Sequence, residues 1–257
     1  MVTAELTARL AQVARAETLL VVLDFDGVLA PLVDDPRRSR VSDDNAAAVH
    51  RLLDLGIPVA VVSGRAFAEL AEVCTLDRRV VLVGGHGAEW SRHPLVPRSP
   101  QLPPPDPGLH ARVRAQLQAI AEAHPGTRVE VKPAALVLHY RLASEQVAQS
   151  ASSQAVAVLR GIAGVRVLRG KDVVEGLLTR VDKGSAVRWL RSTLAADLVV
   201  AVGDDVTDEA MFRALGPADV AVKVGPGPTV AAHRVEAVAD VASVLHRLAE
   251  ARAAASP

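Results

Sequence analysis

VVLDFDGVLAPLV, residues 21–33, places two aspartates at the end of an apolar run. Residues 19–23 (LLVVL) predict a buried strand, and Asp24 and Asp26 follow it at once with Gly27 behind them. Carboxylates beside a buried strand are costly unless they are paired or hold a metal. A lone Asp-x-Asp in such a place also occurs as an Asx turn or a helix cap. Its meaning therefore depends on what the rest of the chain sets beside it.

Outward from this strand the pattern repeats. PVAVVSG (58–64) and RVVLVGG (79–85) predict two more strands, with a helix over 43–55 that puts Ala46, Val49, Leu52 and Leu53 on one face. The same style returns late in the chain, as DLVVAVG (197–203) and ADVAVKVG (218–225) with the helical EAMFRAL between them. Near-continuous Val-rich strands alternating with helices predict an α/β fold, a Rossmann-like, doubly wound parallel sheet covered on both faces.

The middle is different. HPLVPRSPQLPPPDPG (93–108) is rich in proline and reads as a linker. After it come a helix (109–123), strands at 127–132 and 135–141, a helix (144–160) and strands at 165–169 and 172–178. That αββαββ run predicts a small α+β domain of its own. The expected organisation is a core formed by 1–103 and 180–257, with an inserted cap over 104–179.

Composition excludes several classes. Lys plus Arg equals Asp plus Glu at 29 each, and aromatics make up 2% of the 257 residues. There is no basic field and no stacking platform for nucleic acid, so no nucleic-acid partner is expected. No apolar run approaches the roughly 18 residues of a membrane span, and the polar, amphipathic stretch 1–18 lacks a signal-peptide core. The single cysteine, Cys74, lies in the helical AFAELAEVC and suits a structural thiol in a reducing, cytoplasmic setting. A monomer is expected.

Four chemical groups fall at predicted strand ends or helix starts. They are Asp24 with Asp26, then Ser63 with Gly64 and Arg65, then Lys183, then Asp204 with Asp205 and, one turn on, Asp208. Open α/β sheets bind ligands beyond the carboxyl ends of their strands. Five carboxylates around one crevice repel, and a hard divalent cation such as Mg2+ removes that repulsion. Asp24 is then suited to attack phosphorus, and Asp26 to exchange protons with a leaving group and then with water. Gly27 allows a sharp turn whose N–H groups are expected to cradle phosphate oxygens. Ser63 supplies a hydroxyl, and Lys183 a point charge for the phosphoryl group and for Asp24. Each group alone has an ordinary explanation as a turn, a solvated lysine or a capped helix start. Their order and position together favour phosphoryl transfer.

DFDGV, VSGR, DKG and GDDVTDE resemble the four motifs of the haloacid dehalogenase-like phosphatases. The resemblance implies Asp24 as nucleophile, Asp26 as general acid/base, Ser63 and Lys183 as phosphate contacts, and Mg2+ held among Asp24, Asp26, Asp204, Asp205 and Asp208. Whether Asp205 or Asp208 meets the metal directly stays open. Longer stretches are similar to the trehalose-6-phosphate phosphatase family: DFDGVLAPLVDDP, VGGHGAEW, EVKPAALVLHYR, the Gly-Lys-x-x-x-Glu of GKDVVEGLL, and GDDVTDEAMF. One departure is Val28, where the family commonly has threonine.

Within the cap, Glu130 and Lys132 alternate with Val129 and Val131, which puts both charges on one strand face. The resemblance implies that they and Glu175 contact a disaccharide, whose hydroxyls need directional partners; the plainer alternative is a wet sheet face. His139 and Arg141 share a face too, and either reach substrate or pair within the cap. His86, between glycines, contacts sugar or crosses from core to cap, and Arg65, beside Gly64, serves the phosphoryl group or the closed cap. No zinc site is expected, since none of the eight histidines forms HxH or HExxH. KVGPGPT (223–229) lacks a dinucleotide-loop arrangement and reads as a turn, and Trp90 and Trp189 read as packing residues. The expected partner is a small sugar phosphate. Rival readings are a phosphatase for a sucrose or hexose phosphate, or a non-catalytic module that binds sugar phosphate or a partner synthase.

Overall fold

The structure is a computed structural model that describes residues 1–100, 102, 104–170 and 172–255. Its elements run α1 (Ala4–Val13), β1 (Leu19–Leu23), α2 (Asp43–Asp54), β2 (Val59–Val62), α3 (Phe67–Val73), β3 (Val81–Gly84) and β4 (Glu89–Trp90). Next come α4 (Pro107–Ala123), β5 (Arg128–Val131), β6 (Ala135–His139), α5 (Glu145–Arg160), β7 (Arg166–Gly170) and β8 (Val173–Leu177). The chain closes with α6 (Lys183–Thr193), β9 (Leu198–Gly203), α7 (Glu209–Arg213), β10 (Val220–Val224), β11 (His233–Val235) and α8 (Val238–Ala255).

Two compact units result, Met1–Pro100 with Val181–Pro257, and Gln101–Arg180. The expected division at 103/104 and 179/180 lies a few residues away. The first cut falls in the proline-rich stretch, where residues 101 and 103 lie outside the described residues. The linker ends sooner than expected. Asp106 caps α4, its Oδ1 accepting the Gly108 N–H at 3.0 Å. Pro107 opens the helix where its missing N–H costs nothing.

The first unit is a seven-stranded sheet in the order β11-β10-β9-β1-β2-β3-β4. Every neighbouring pair is parallel except β3 with the short edge strand β4. The strands are apolar on both faces because both faces are covered. On one side Leu19, Val21 and Leu23 pack with Leu6 and Leu10 of α1, Val49 and Leu52 of α2, and Leu245 and Leu248 of α8. On the other, Leu20 and Val22 pack with Val187 and Leu190 of α6 and with Met211 and Phe212 of α7. Each such side chain contributes about 1.5–3 kcal/mol on burial, so period-two alternation assigns every strand position to one aliphatic layer or the other. Trp90 and Trp189 meet edge to face at 4.7 Å in the second layer. Cys74 is buried, and burial pushes its thiol up to about 11, as suits a structural residue.

The second unit is a four-stranded antiparallel sheet in the order β5-β6-β8-β7. Leu136, Leu138 and Val174 pack with Val113 and Leu117 of α4 and Ala155 and Leu159 of α5. The register then places Arg128, Glu130, Val137, His139 and Glu175 on the opposite face.

Candidate active site

The chain leaves β1 towards β2 and β3 on one side, and returns to lay β9, β10 and β11 on the other. The carboxyl end of β1 is therefore the switch point of the sheet, where such folds open a crevice. Asp24 stands there. Its backbone N–H donates to the Val202 carbonyl at 3.0 Å, so the pairing with β9 continues into the motif. The turn that follows is closed by Leu29 and Ala30 N–H groups donating to Phe25 O, each at 3.0 Å. Gly27 has φ +79°, and a Cβ there would run into the Asp204 carboxylate. Of the turn's N–H groups expected to cradle phosphate, that of Gly27 is spent in closing the turn, donating to Ala30 O at 2.8 Å. Val28 is fully buried in the aliphatic layer, which explains how a threonine position takes an apolar side chain.

Lys183 opens α6, and Asp182 caps that helix by accepting the Ser185 N–H at 2.7 Å. Its Nζ lies 2.8 Å from Asp24 Oδ1 and 2.7 Å from Asp208 Oδ1, in a fully enclosed position. Asp208 Oδ2 accepts the N–H groups of Asp204 at 2.8 Å and Asp205 at 2.9 Å. Three donors thus hold Asp208, and it shapes the loop that carries Asp204.

The five carboxylates separate into two kinds. Ligand atoms of Asp24, Asp204 and Asp208 all lie within 4.8 Å of one another. Asp205 joins through its backbone and leaves its side chain exposed. Asp26 turns to Arg65, whose Nε and Nη2 donate to its two oxygens at 2.6 and 2.7 Å, while Ser39 Oγ donates to Oδ1 at 3.1 Å. The Arg65 guanidinium lies 5.4 Å above the Phe25 ring. Arg65 thus holds the residue expected to move protons.

Burial, then the charge of Asp208, raises Asp24 well above the ordinary carboxylate range, with Lys183 pulling the other way. The same two causes raise Asp204 to about 6. Burial opposes the charge on Lys183, but Asp208 and Asp24 outweigh it and raise its pKa. One ammonium among three close carboxylates leaves negative charge in excess. An all-oxygen set of this kind is suited to a hard divalent cation.

Ser63 follows β2, with its N–H donating to Val83 O at 2.9 Å and its Oγ accepting the Arg65 N–H at 3.2 Å. His86, in the left-handed region at φ 56°, packs its ring on Gly64, where a Cβ would come within 2.5 Å of Cε1. The His86 N–H donates to Ser63 O at 2.9 Å. His86 therefore braces the Ser63–Arg65 loop.

In the other unit, Lys132 Nζ lies 3.8 Å from Glu130 Oε1 and 3.5 Å from Glu175 Oε1. His139 Nε2 meets Glu130 Oε2 at 2.6 Å. Arg141 lies 3.9 Å from Asp172, a loose pair within its own unit. Lys171, the lysine of the Gly-Lys-x-x-x-Glu stretch, lies outside the described residues.

Three supporting residues are given no role by the sequence, although Glu89 lies within VGGHGAEW. Ser39 is fully buried on Asp26, yet sits in RRSR without a motif. Glu89 Oε2 accepts the Phe67 N–H at 3.1 Å and so anchors the start of α3 after the Arg65 loop. Lys223 is buried and donates to the backbone carbonyls of Asp204 and Val224. A lysine inside the apolar AVKV is the one signal that pointed to it.

Fold and site together define a haloacid dehalogenase-like protein. A structure of the C-terminal domain of C. albicans trehalose-6-phosphate phosphatase superposes with a TM-score of 0.78 at 24% identity, over 95% of this chain and 96% of that one. Residues 22–244 match the family model for trehalose-phosphatase, and the chain belongs to that family. It is 35% identical over 239 residues to a bifunctional trehalose-6-phosphate synthase/phosphatase of Thermoproteus tenax, covering 91% of this chain and 32% of that protein. It is 33% identical over 249 residues to a trehalose-phosphate phosphatase of Mycobacterium marinum, covering 89% of this chain and 61% of that protein. The chain thus spans about a third and about three fifths of these relatives' lengths. Among the described residues, no helix is long and apolar enough to cross a membrane.

Proposed function

We propose that the protein is a Mg2+-dependent phosphatase that hydrolyses trehalose 6-phosphate to trehalose and phosphate through an aspartyl-phosphate on Asp24. The observation that carries the reading is the buried Asp24 at the switch point, held by Lys183 with Asp204 and Asp208 close by. Family membership supports the substrate class.

The chain's own groups supply each step. Lys183 fixes the Asp24 carboxylate by its Oδ1 and offers charge to the incoming phosphoryl group. An Asp24 oxygen bonds to phosphorus as the bond from phosphorus to the sugar O6 breaks, and Asp26 gives the departing alkoxide a proton. Water then attacks the same phosphorus, Asp26 takes its proton, and the bond to Asp24 breaks to release phosphate. The anionic substrate competes with Asp26 for Arg65, which frees the acid/base from its bidentate clamp. Asp24, Asp204 and Asp208 would hold the Mg2+, whose charge offsets theirs and that of the phosphate. Glu130, Lys132 and Glu175 would select the sugar, a neutral polyol with many hydroxyls.

The test is phosphate release, with Mg2+, from trehalose 6-phosphate, sucrose 6-phosphate, glucose 6-phosphate and an aryl phosphate. A strong preference for trehalose 6-phosphate supports both units' roles. Preference for another sugar keeps the core chemistry and overturns the substrate. No release from any of them overturns the enzyme in favour of a binding module.

A further inference from the structure

Glu130 and His139 are diagonal neighbours across the β5–β6 pair, because Arg128 faces His139 and Glu130 faces Val137. On an antiparallel sheet such pairs lie within reach of long or ring side chains. Here the contact is made, Nε2 to Oε2 at 2.6 Å, with both side chains about three quarters buried at 23% and 22% exposure. The hydrogen bond from His139 is the largest influence on Glu130 and lowers its pKa, ahead of the opposing effect of burial. A carboxylate only accepts, so the imidazole carries its proton on Nε2. Lys132 approaches the other oxygen, Oε1, at 3.8 Å. Glu130 is therefore gripped at both oxygens, by an ammonium on a flexible stem and by a planar ring.

The two grips differ in kind. The Lys132 ammonium is shared with Glu175 at 3.5 Å and swings on four rotatable bonds. The His139 ring is attached to a central strand, since β6 lies between β5 and β8. A ring on a central strand has two torsions and a fixed base, so it defines the plane of the carboxylate that it meets. Selective binding of a polyol depends on that plane, because hydroxyl hydrogens must meet the oxygen lone pairs in direction as well as distance.

We infer that His139 is a positioning residue that orients Glu130 for sugar selection, without itself carrying the chemistry of phosphoryl transfer. The inference rests on the reading of Glu130 as a sugar contact. A merely structural pair would alter stability and leave the choice between substrates unmoved.

The test measures the ratio of kcat/KM for the preferred sugar phosphate of the panel to that for the aryl phosphate. It uses the full chain and the variants Glu130→Ala, His139→Ala, His139→Gln and the double alanine variant, with Mg2+ present. Loss of one hydrogen bond to a charged group predicts a fall of about tenfold in the ratio for His139→Ala, carried mainly by KM. His139→Gln places an amide N–H near the position of Nε2 and restores most of the ratio. The double variant falls no further than Glu130→Ala. If Glu130→Ala loses the ratio while both His139 variants keep it, the inference fails alone. If Glu130→Ala keeps it as well, the sugar reading of the second unit fails with it.

Discussion

Lys183 Nζ lies 2.8 Å from Asp24 Oδ1, and neither group has appreciable contact with solvent. The pair is not isolated, since the same ammonium reaches Asp208 at 2.7 Å. Removing one partner of a buried pair leaves the other charge uncompensated, at a cost of about 3–5 kcal/mol. Lys183→Met is expected to lower the unfolding free energy by about that amount and to abolish turnover. Denaturant unfolding with a phosphate-release assay checks both; a variant that stays active and equally stable removes Lys183 from the site.

Asp24→Asn separates chemistry from folding. Burial and Asp208 oppose the charge on Asp24, and the Lys183 ammonium keeps Asp208 at 2.7 Å, so a neutral group of the same shape costs the fold little. Turnover is expected to fall by more than about a thousandfold, as for loss of a nucleophile, with a thermal midpoint no lower than the parent's. Near-normal turnover in this variant would make another group the nucleophile.

The raised pKa of Asp204 predicts how pH and metal interact. Its folded value of about 6 exceeds the ordinary 3.8, so the folded protein holds the proton more tightly. The stability that comes from this proton is present below about 3.8 and is lost as pH rises through about 6. A divalent cation takes the proton's place. Stabilisation by Mg2+ is therefore expected to be large above pH 6 and to fade below it, and EDTA is expected to stop turnover. Thermal unfolding with and without Mg2+ across pH 5–8 reads this directly; a midpoint indifferent to Mg2+ at pH 8 contradicts the metal role.

Two glycines distinguish backbone strain from crowding. Gly27 at φ +79° faces the Asp204 carboxylate, whereas a Cβ at Gly56, φ +73°, would meet nothing within 4 Å. Gly56→Ala is expected to cost only the left-handed backbone penalty, about 1–2 kcal/mol. Gly27→Ala carries the same penalty and also displaces Asp204, so it is expected to cost more and to weaken Mg2+ binding. Equal losses in stability, with Mg2+ binding intact in both, would show that the approach of Asp204 to this turn is dispensable.

The fold was legible because its signals are local and repeated. Runs such as LLVVL and VAVV are apolar at every position, and only a sheet covered on both faces accepts that. The strands less visible in sequence, Glu89–Trp90 and His233–Val235, are two and three residues long and sit at the sheet edges. Edge strands are defined by the neighbour they meet, and no periodicity accumulates over so few residues. The motif acids were legible for a similar reason, since each follows a strong strand or opens a helix.

Which partners each acid meets was decided by packing. Sequence order grouped Asp26 with Asp24, and Asp205 with Asp204. The folded chain instead gathers Asp24, Asp204 and Asp208, hands Asp26 to Arg65 and Ser39, and leaves the Asp205 side chain exposed. Spacing along a chain fixes which side chains share a strand face, and this sufficed to align Glu130 with Lys132. It says nothing of partners that arrive from the neighbouring strand, such as the Lys223 ammonium on the Asp204 carbonyl or the His139 ring on Glu130. Those pairings are decided by register and by sheet order, which depend on how all the strands bury their faces together.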